Sequence, residues 1–496
     1  MRSYLLLEKI FSKIYYLDSA AAILHWDAAT VMPSGSSEAR GEQLATLSGL
    51  RHEMITDIKV RELLAQAEID QKLLNAWQLA NLKLMRRRFL HANCIPEALV
   101  KELSTAGTKC EMVWRDTKKT NNFSAYVPHQ QKVLDLVRQV AALKAESFGV
   151  SRYDALLDSY DPGKKSAEID RVFADLKTFL PTFTQKVLAK QKKLPKPILA
   201  KGPFPASKQK KLGEHFMKAI GFDFERGRLD ISAHPFCGGV PGDVRITTRY
   251  DTSDFTSSLM GVLHETGHAL YESNLPEEWR GQPVGDAQGM TLHESQSLLI
   301  EMQVCRSSEF LEYATPIIAK NFAGKGAAWT FDNLKRLYNH VEAGYIRVDA
   351  DEVTYPSHVI LRYEIEQKLI NGDMDIADVP SAWNKGMNDL LGVKVPDYAR
   401  GCMQDIHWTD GSFGYFPTYT LGAMAAAQFF HAAKKQNPDI QKGIKKGDFK
   451  PLTEWLKVNI HRNGSRLTAD ELLKEVTGEA LNPEIYKAHL KNRYLA

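Results

Sequence analysis

The 496-residue chain has few cysteines, no long apolar run and almost no net charge. Its five cysteines are odd in number and scattered without a CxxC pair, which excludes a disulfide framework or a zinc ribbon and favours an intracellular location. No stretch of about 18 uninterrupted apolar residues occurs, so we expect no membrane span. With 64 basic against 60 acidic residues, no dominant attraction to nucleic acid or membranes is expected.

The composition instead predicts a folded, water-soluble protein. A hydrophobic content of 44%, with 8 Trp, 18 Tyr and 21 Phe, excludes a disordered chain. The N-terminus does not read as a signal peptide, because Glu8 and Lys9 interrupt the short apolar run Leu5–Leu7. Apolar residues at spacings of three and four predict an amphipathic first helix. We therefore expect a cytoplasmic protein that begins near Met1.

The pattern along the chain predicts a mostly α protein in two lobes, residues 1–200 and residues 201–496. Helices are expected over Ser37–Ser48, Leu73–Leu90, Pro96–Lys118 and Ala125–Lys144. Nine lysines and four prolines between Lys186 and Lys211 predict a surface connection between the lobes. The basic run Arg86–Arg88 is interpreted as a solvated helix face rather than a nucleic-acid site.

A small β-ribbon is expected near the middle of the chain. Leu229–Ile231 and Asp243–Tyr250 alternate and contain β-branched residues, which predicts two strands. The segment Cys237–Gly242 is rich in glycine and proline and is predicted to be the turn between them. Because a two-stranded ribbon is marginally stable alone, it must pack against the helices.

An HExxH motif follows the ribbon within the apolar segment Val262–Leu270. Helix geometry places His264 and His268 one turn apart on the same face, where both imidazoles can reach one cation. Glu265 lies near the edge of that face, where it can hold a metal-bound water. The motif predicts a metal site of the zinc type, since two core histidines with a surface glutamate would be a rarer use of this spacing.

A third protein ligand is needed, and the sequence offers a carboxylate from a second helix. Glu294 lies 26 residues after His268, which is long enough for a turn and an antiparallel return. Glu301 is the alternative, because seven residues further on it falls on the same helix face. We favour Glu294, since the adjacent His293 could contact a ligand from outside.

Such a site favours hydrolysis of a peptide bond. A zinc-type cation lowers the pKa of a bound water toward about 7. Glu265 would take the proton of this water and pass it to the departing amine. Aromatic or histidine donors are still needed for the tetrahedral oxyanion.

Seven motifs together resemble the thermostable (Taq-type) metallocarboxypeptidases. In chain order they are Leu24–Asp27 with Met32-Pro33, His234–Phe236, Asp243–Thr247, His264–His268, His293–Ser297, Ile346–Asp351 and Gly401–Trp408. They run from residue 24 to residue 408 and so cover most of the chain. One departure is Leu298, which stands where the family usually has arginine and removes an ion pair expected behind the metal site.

The resemblance implies a fold, a metal and an activity. Members similar to this chain bind zinc or cobalt through residues that correspond to His264, His268 and Glu294, with Glu265 as the catalytic base. The family fold is mostly helical, with a deep groove, and is similar to neurolysin and the angiotensin-converting enzymes. The implied enzyme removes single C-terminal residues with broad specificity, acts poorly on proline and commonly forms homodimers. We expect zinc, with cobalt as the alternative.

A carboxypeptidase also needs a cation for the substrate's terminal carboxylate. An arginine can make a bidentate pair with it, and the candidates are Arg347 and Arg245, of which we favour Arg347. The alternative to substrate binding for Arg347 is a purely structural ion pair with Asp349 or Asp351. The strand that carries Arg245 could also offer a free edge to an extended peptide, with His234 at the rim or in a turn.

Oxyanion donors are sought in the loop that runs from His407 to Tyr419. Neurolysin-like folds place a histidine and a tyrosine in such a loop, which by resemblance makes His407 and Tyr419 the candidates and Tyr415 the second choice. Gly411 and Gly414 would let the loop move.

Three other functions compete with a metallocarboxypeptidase. A neurolysin-like oligopeptidase would use the same ligands but cleave internally. A non-catalytic protein could use the groove to hold peptides. A nucleic-acid-binding role would rest only on the two basic segments, and we do not expect it.

Overall fold

A computed structural model describes all 496 residues as a mostly helical protein with one small sheet, as predicted. No helix combines the length and apolarity that crossing a membrane requires. The helices are α1 (Arg2–Thr30), α2 (Ser37–Thr56), α3 (Ile58–Ile69), α4 (Ala76–Asn93), α5 (Glu97–Lys119), α6 (Phe123–Phe148), α7 (Arg152–Leu157), α8 (Ser166–Gln191), α9 (Ala206–Ile220), α10 (Thr256–Ser273), α11 (Met290–Leu298), α12 (Ser308–Phe322), α13 (Phe331–Tyr338), α14 (Tyr355–Asn371), α15 (Val379–Leu391), α16 (Pro417–Gln436), α17 (Asp439–Lys446), α18 (Lys450–Asn459), α19 (Ala469–Thr477) and α20 (Pro483–Tyr494). The four helices predicted in the first lobe correspond to α2, α4, α5 and α6, although α4 begins three residues and α5 one residue later than predicted.

The lysine- and proline-rich connection is shorter than predicted. Helix α8 continues through Lys186 and Lys190, and α9 already contains Lys208, so only residues 192–205 run without a helix. All four prolines of the segment lie within that stretch, where they prevent α8 and α9 from joining. The lysines at both ends are simply helical, because a long charged side chain costs a helix little.

The sheet has three strands rather than two. They are β1 (Gly227–Ile231), β2 (Phe236–Val240) and β3 (Asp243–Thr248), in the order β1-β3-β2. Strand β1 is parallel to β3, and β2 is antiparallel to it. Most of the predicted turn Cys237–Gly242 is therefore strand β2, because pairing with β3 outweighs the low strand propensity of its glycines. The true turn is at Pro241 and Gly242, where Gly242 has a positive φ of 98°.

The basic run Arg86–Arg88 on α4 is not a solvated face. Its three arginines are only partly exposed, and each pairs with a carboxylate of another segment. The partners are Glu68 at 2.7 Å, Asp158 at 2.9 Å and Asp286. The run therefore ties α4 to α3 and to the segments that follow α7 and precede α11.

Two large apolar clusters form most of the core. One joins α5–α8 to α14, α15 and α20, and the other joins α9–α13 to α17–α19. Helix α16 contributes to both clusters and so lies at the centre of the molecule. The largest cluster thus combines helices from before and after residue 200, and the division into two lobes at that residue stays a prediction.

Candidate metal centre and facing wall

The metal-centre candidates lie on two helices held unusually close together. Helix α10 carries His264, Glu265 and His268, and α11 carries Glu294. Gly267 allows the approach, since a Cβ on it would lie 2.4 Å from the carbonyl oxygen of Gln296 on α11. A backbone atom cannot move aside as a flexible side chain can, so only glycine fits at this crossing.

A second glycine brings α16 against the same site. A Cβ on Gly422 would lie 2.9 Å from the Cβ of Glu294. Buried Glu294 is therefore enclosed between α10 and α16, which also restricts its rotamers.

Three of the predicted residues converge on one point. The ligand atoms of His264, His268 and Glu294 all lie within 4.8 Å of one another. The two carboxylate oxygens of Glu294 are each 3.6 Å from the Nε2 atom of a different histidine. Two imidazole nitrogens and a carboxylate around one point are a donor set that suits a zinc-type cation.

The outer nitrogens of both histidines are also engaged. Glu301, the alternative third ligand, lies outside the convergent group and contacts His264 Nδ1 at 3.0 Å. Its other oxygen accepts from Arg306 at 2.7 Å, which supplies an ion pair behind the site although position 298 is leucine. His268 Nδ1 lies 2.6 Å from His293. Such contacts fix the ring orientation and leave Nε2 free to face the centre.

His293 in turn has a carboxylate partner. Its Nε2 lies 2.8 Å from Glu272, so it links His268 to the C-terminal end of α10. The predicted outer contact of His293 is thus present in the structure, whereas neither Glu272 nor Arg306 was singled out from the sequence.

Burial and crowding shift the titration of these groups. Burial, reinforced by the Glu294 charge, raises the pKa of Glu265 to about 7, although His264 opposes the shift. Burial also opposes protonation of His264, but Glu294 and Glu301 outweigh it and raise the pKa of His264 to about 10. The pKa of His268 falls to about 4 through burial and the neighbouring His293. The centre is therefore rich in negative charge.

A row of aromatic residues lies across from Glu294. Burial raises the pKa values of Tyr355, Tyr415 and Tyr419, and the Glu294 charge adds to the shift of all three. The rings of Tyr415 and Tyr419 are 5.2 Å apart, and that of Tyr355 is 5.9 Å from Tyr419. The ring of His407 lies 5.7 Å from that of Tyr415. All three predicted oxyanion donors therefore form one cluster close to the carboxylate.

Arg347 lies in the same cluster but has a partner that the sequence reasoning missed. It is 5% exposed, and its Nε and Nη2 atoms lie 3.0 and 2.9 Å from Asp405. Its Nη1 donates to the Tyr355 hydroxyl at 2.6 Å. Neither Asp349 nor Asp351 pairs with it. Asp405 was within the motif Gly401–Trp408, which is the signal that could have identified it.

Asp405 serves two arginines at once. The guanidinium of Arg362, which is fully buried, pairs with the other carboxylate oxygen of Asp405. Both charges hold the pKa of Asp405 well below its usual range, although burial opposes this. The nearby His407 is uncharged, because burial and Arg347 lower its pKa to about 4. Two guanidinium groups facing one carboxylate leave a surplus positive charge in a buried place.

Arg245 and His234 lie elsewhere. Arg245 on β3 pairs with Asp243 at 2.6 Å, and its guanidinium lies 4.4 Å from the ring centre of buried Trp26 on α1. It therefore joins the sheet to α1. His234 is exposed in the loop between β1 and β2. The predicted free edge of the Arg245 strand is wrong, because β3 is the central strand and is paired on both sides.

The fold and the convergent His-His-Glu group define a helical metallopeptidase. The sequence model of the carboxypeptidase Taq (M32) metallopeptidase family matches residues 6–494, so the chain belongs to this family. It is accordingly a metal-dependent carboxypeptidase.

Named relatives agree with this assignment. The chain is 38% identical to thermostable carboxypeptidase 1 of Thermus thermophilus, over 97% of this chain and 96% of the relative. It is 34% identical to carboxypeptidase 1 of Bacillus subtilis, over 98% and 96%. Among solved structures, Trypanosoma cruzi metallocarboxypeptidase 1 superposes with a TM-score of 0.98 at 42% identity and covers all of both chains.

Proposed function

We propose that this carboxypeptidase removes single residues from the C-terminus of peptides with broad specificity, with Glu265 as the general base. The observation that carries the proposal is the surplus guanidinium charge of Arg347 and Arg362 across from Glu294. A buried cation without a full partner is costly unless an anion neutralises it. The terminal carboxylate of a peptide is an anion of the right kind.

His264, His268 and Glu294 are the residues that would hold the metal, with zinc favoured and cobalt as the alternative. A divalent cation at this place would supply a Lewis acid for the scissile carbonyl and acidify a water. Glu265 adjoins the group on the same helix, where its carboxylate could accept a proton from such a water and return it to the departing amine.

Arg347 is the proposed clamp for the substrate carboxylate. Asp405 occupies one edge of its guanidinium and Arg362 shares that aspartate, so Arg347 keeps part of its charge for a ligand. Arg245 is less suited, since its partner Asp243 forms an ion pair with no other arginine and so leaves it no surplus charge.

Tyr419 is the proposed oxyanion donor, with Tyr415 as the alternative and His407 beside them. The raised pKa values of both tyrosines keep their hydroxyl protons in place at neutral pH, as a donor requires. His407 is neutral and so can donate from one nitrogen without adding charge.

The outer edge of β2 is the proposed support for the peptide backbone. It is the edge strand next to β3, and it packs against α10. Burial raises the pKa of Cys237 on β2, and the charges of Glu272 and Glu265 on α10 add to the shift, so the strand lies near the proposed base. An extended peptide could pair with this strand. His234 lies in the loop that precedes β2 and would shape the rim.

The decisive experiment compares a peptide with a free C-terminus against the same peptide with a C-terminal amide, with products identified by mass spectrometry. We expect sequential loss of single residues from the free acid. Loss of one charge-assisted contact, about 1.5–3 kcal/mol, predicts cleavage of the amide that is slower by roughly ten- to a hundredfold. Equal internal cleavage of both would support the oligopeptidase instead, and binding without cleavage would support a peptide-binding role.

We further propose a cytoplasmic homodimer. All five cysteines are free thiols, which suits a reducing compartment. The dimer rests on the family resemblance, and light scattering of the purified protein would test it.

A further inference from the structure

Helix α14 carries a row of buried polar residues that the proposed chemistry does not use directly. His358, Arg362 and Glu366 follow one another at intervals of four, so they share one face of the helix, and each is 0% exposed. We name these three residues the α14 stripe. Charged groups without exposure persist only where specific partners satisfy them.

Two of the three donors to Glu366 belong to the loop that carries His407 and Tyr415, and the third is the Tyr153 hydroxyl on α7, 2.8 Å away. One carboxylate oxygen accepts from the indole N–H of Trp408 at 2.7 Å. The other accepts from the backbone N–H of Gly414 at 3.1 Å. These donors are the residues directly after His407 and directly before Tyr415. Glu366 thus holds the loop at both points from behind.

The partner of Arg362 belongs to the same segment. Its Nε donates to Asp405 at 2.6 Å, and its Nη1 donates to the carbonyl of His358 one turn earlier at 2.8 Å. Trp383 covers one face of its guanidinium, with the ring centre 4.4 Å away. Arg362 is therefore rigidly held, and it competes with Arg347 for the charge of Asp405.

We propose that the α14 stripe is a positioning element for the segment Asp405–Tyr419, with two separate effects on the reaction. Glu366 holds His407 and Tyr415 in place through Trp408 and Gly414, and so acts on the chemical step. Arg362 sets how much of the Asp405 charge is left for Arg347, and so acts on recognition of the substrate carboxylate. This inference rests on the proposed function, and neither residue touches substrate.

The first test is Glu366→Gln, which keeps the shape but cannot accept from all of its present donors. Because a misplaced donor weakens only the transition state, kcat should fall on the order of ten- to a hundredfold while KM stays within about twofold. Hydrogen exchange followed by mass spectrometry should show faster exchange in residues 411–416, because the Gly414 amide loses its acceptor. If Glu366→Gln fails to fold, Trp408→Phe replaces it as the test. This variant removes a donor to Glu366 instead of the acceptor and should lower kcat in the same way.

The second test is Arg362→Met. Asp405 would then pair with Arg347 alone, so KM for the free-acid peptide should rise roughly five- to tenfold with little change in kcat. Cleavage of the amidated peptide should not change, since it has no carboxylate to lose. Arg362→Lys keeps the positive charge and should restore part of the KM.

The matched control is Glu352→Gln. Glu352 is also a buried carboxylate, 4% exposed, but its partners are Gln303, His489, Arg493 and Tyr494 rather than the loop. It should lower thermal stability without changing kcat, KM or exchange in residues 411–416. If Glu366→Gln and Arg362→Met behave like this control, the positioning role is wrong. A wild-type enzyme that cleaves acid and amide equally would instead overturn the proposed function, while the exchange result would still decide whether Glu366 holds the loop.

Discussion

Two sides of the candidate site carry opposite charge. The metal wall, formed by α10 and α11, surrounds two histidines with several carboxylates. The facing wall, formed by Arg347, α14 and residues 405–419, has two guanidinium groups for one aspartate. The proposed ligands have the opposite sign on each side, a metal cation at the histidines and the substrate carboxylate at the arginines.

The histidines of the two walls also differ, in whether their ring nitrogens have hydrogen-bond partners. On the metal wall, His264 and His268 have partners on their outer nitrogens, which orients the rings. On the facing wall, both ring nitrogens of His358 and the Nδ1 of His407 are buried without a partner. Burial and the nearby arginines lower their pKa values to about 3 and about 4, so both are neutral. Neutral histidines there leave the positive charge concentrated on the arginines.

The largest expected effect comes from the metal wall, with Glu265→Gln. The change removes the proton acceptor but leaves both imidazoles and Glu294, so kcat should fall by about 10²- to 10⁴-fold with unchanged metal content. Steady-state kinetics and elemental analysis measure the two quantities. Glu278→Gln, a change to an exposed acid soon after α10, is the control and should have no effect. Retained activity in the first variant would remove Glu265 from the mechanism.

Asp161→Asn tests how the metal wall is anchored, through the pH dependence of the free energy of unfolding. Buried Asp161 accepts hydrogen bonds from the backbone and hydroxyl of Thr291 at the start of α11, and burial raises its pKa from 3.8 to about 6. The folded state binds the extra proton, so wild-type stability should fall as the pH rises from about 4 to about 6. Asparagine needs no such proton, and the variant should be more stable than wild type by up to about 3 kcal/mol at pH 7.

Urea unfolding of the two chelator-treated proteins at pH 4, 5, 6 and 7 measures this difference. The two free energies of unfolding should be nearly equal at pH 4 and diverge above it. A variant that is less stable than wild type at pH 7 would show that the carboxylate is needed in its charged form.

Arg347→Met and Arg245→Met together test whether the substrate carboxylate binds at the facing wall or at the sheet. Only the first should abolish the preference for a free acid over an amide, a change of about 1.5–3 kcal/mol. Arg245→Met should keep that preference and lower thermal stability, because it loses the contact with Trp26. The ratio of kcat/KM for the two peptides measures the first effect. The opposite result would make Arg245 the clamp.

Gly267→Ala tests the close crossing of the two metal-wall helices. The new Cβ would meet the Gln296 carbonyl, so we expect a loss of about 1–3 kcal/mol in stability and weaker metal retention. Gly261→Ala on the same helix is the matched control, since a Cβ there meets nothing within 4 Å. It should be neutral or stabilising, as alanine is the better helix former. Equal behaviour of the two variants would refute the crossing argument.

The two walls also differ in how much of them could be predicted. The metal wall was predictable because His264, Glu265 and His268 lie within one helical turn and a half, where geometry follows from spacing alone. Most of the facing wall was not. Asp405 lay unassigned in a recognised motif, and Arg362 and Glu366 belonged to no motif, because their roles depend on contacts with segments more than 40 residues away.

The errors in the fold have a similar origin. The glycines of β2 have low strand propensity and predict a turn, and only the pairing with β3 makes this segment a strand. The arginines of α4 predict a solvated face because their three carboxylate partners are distant in the chain and cannot be inferred from local spacing. In each case the local signal was real, and a tertiary contact outweighed it.

By itself, the sequence determined that this protein is mostly helical and that two histidines share one helix face with a glutamate near its edge, since backbone geometry relates near neighbours without further information. Only the tertiary structure decided that Glu294 meets both imidazoles while Glu301 lies behind one of them, and that Asp405 is shared by two arginines. These outcomes depend on how closely whole helices can approach, which is set at a few glycines and buried ion pairs whose partners the spacing of residues does not reveal.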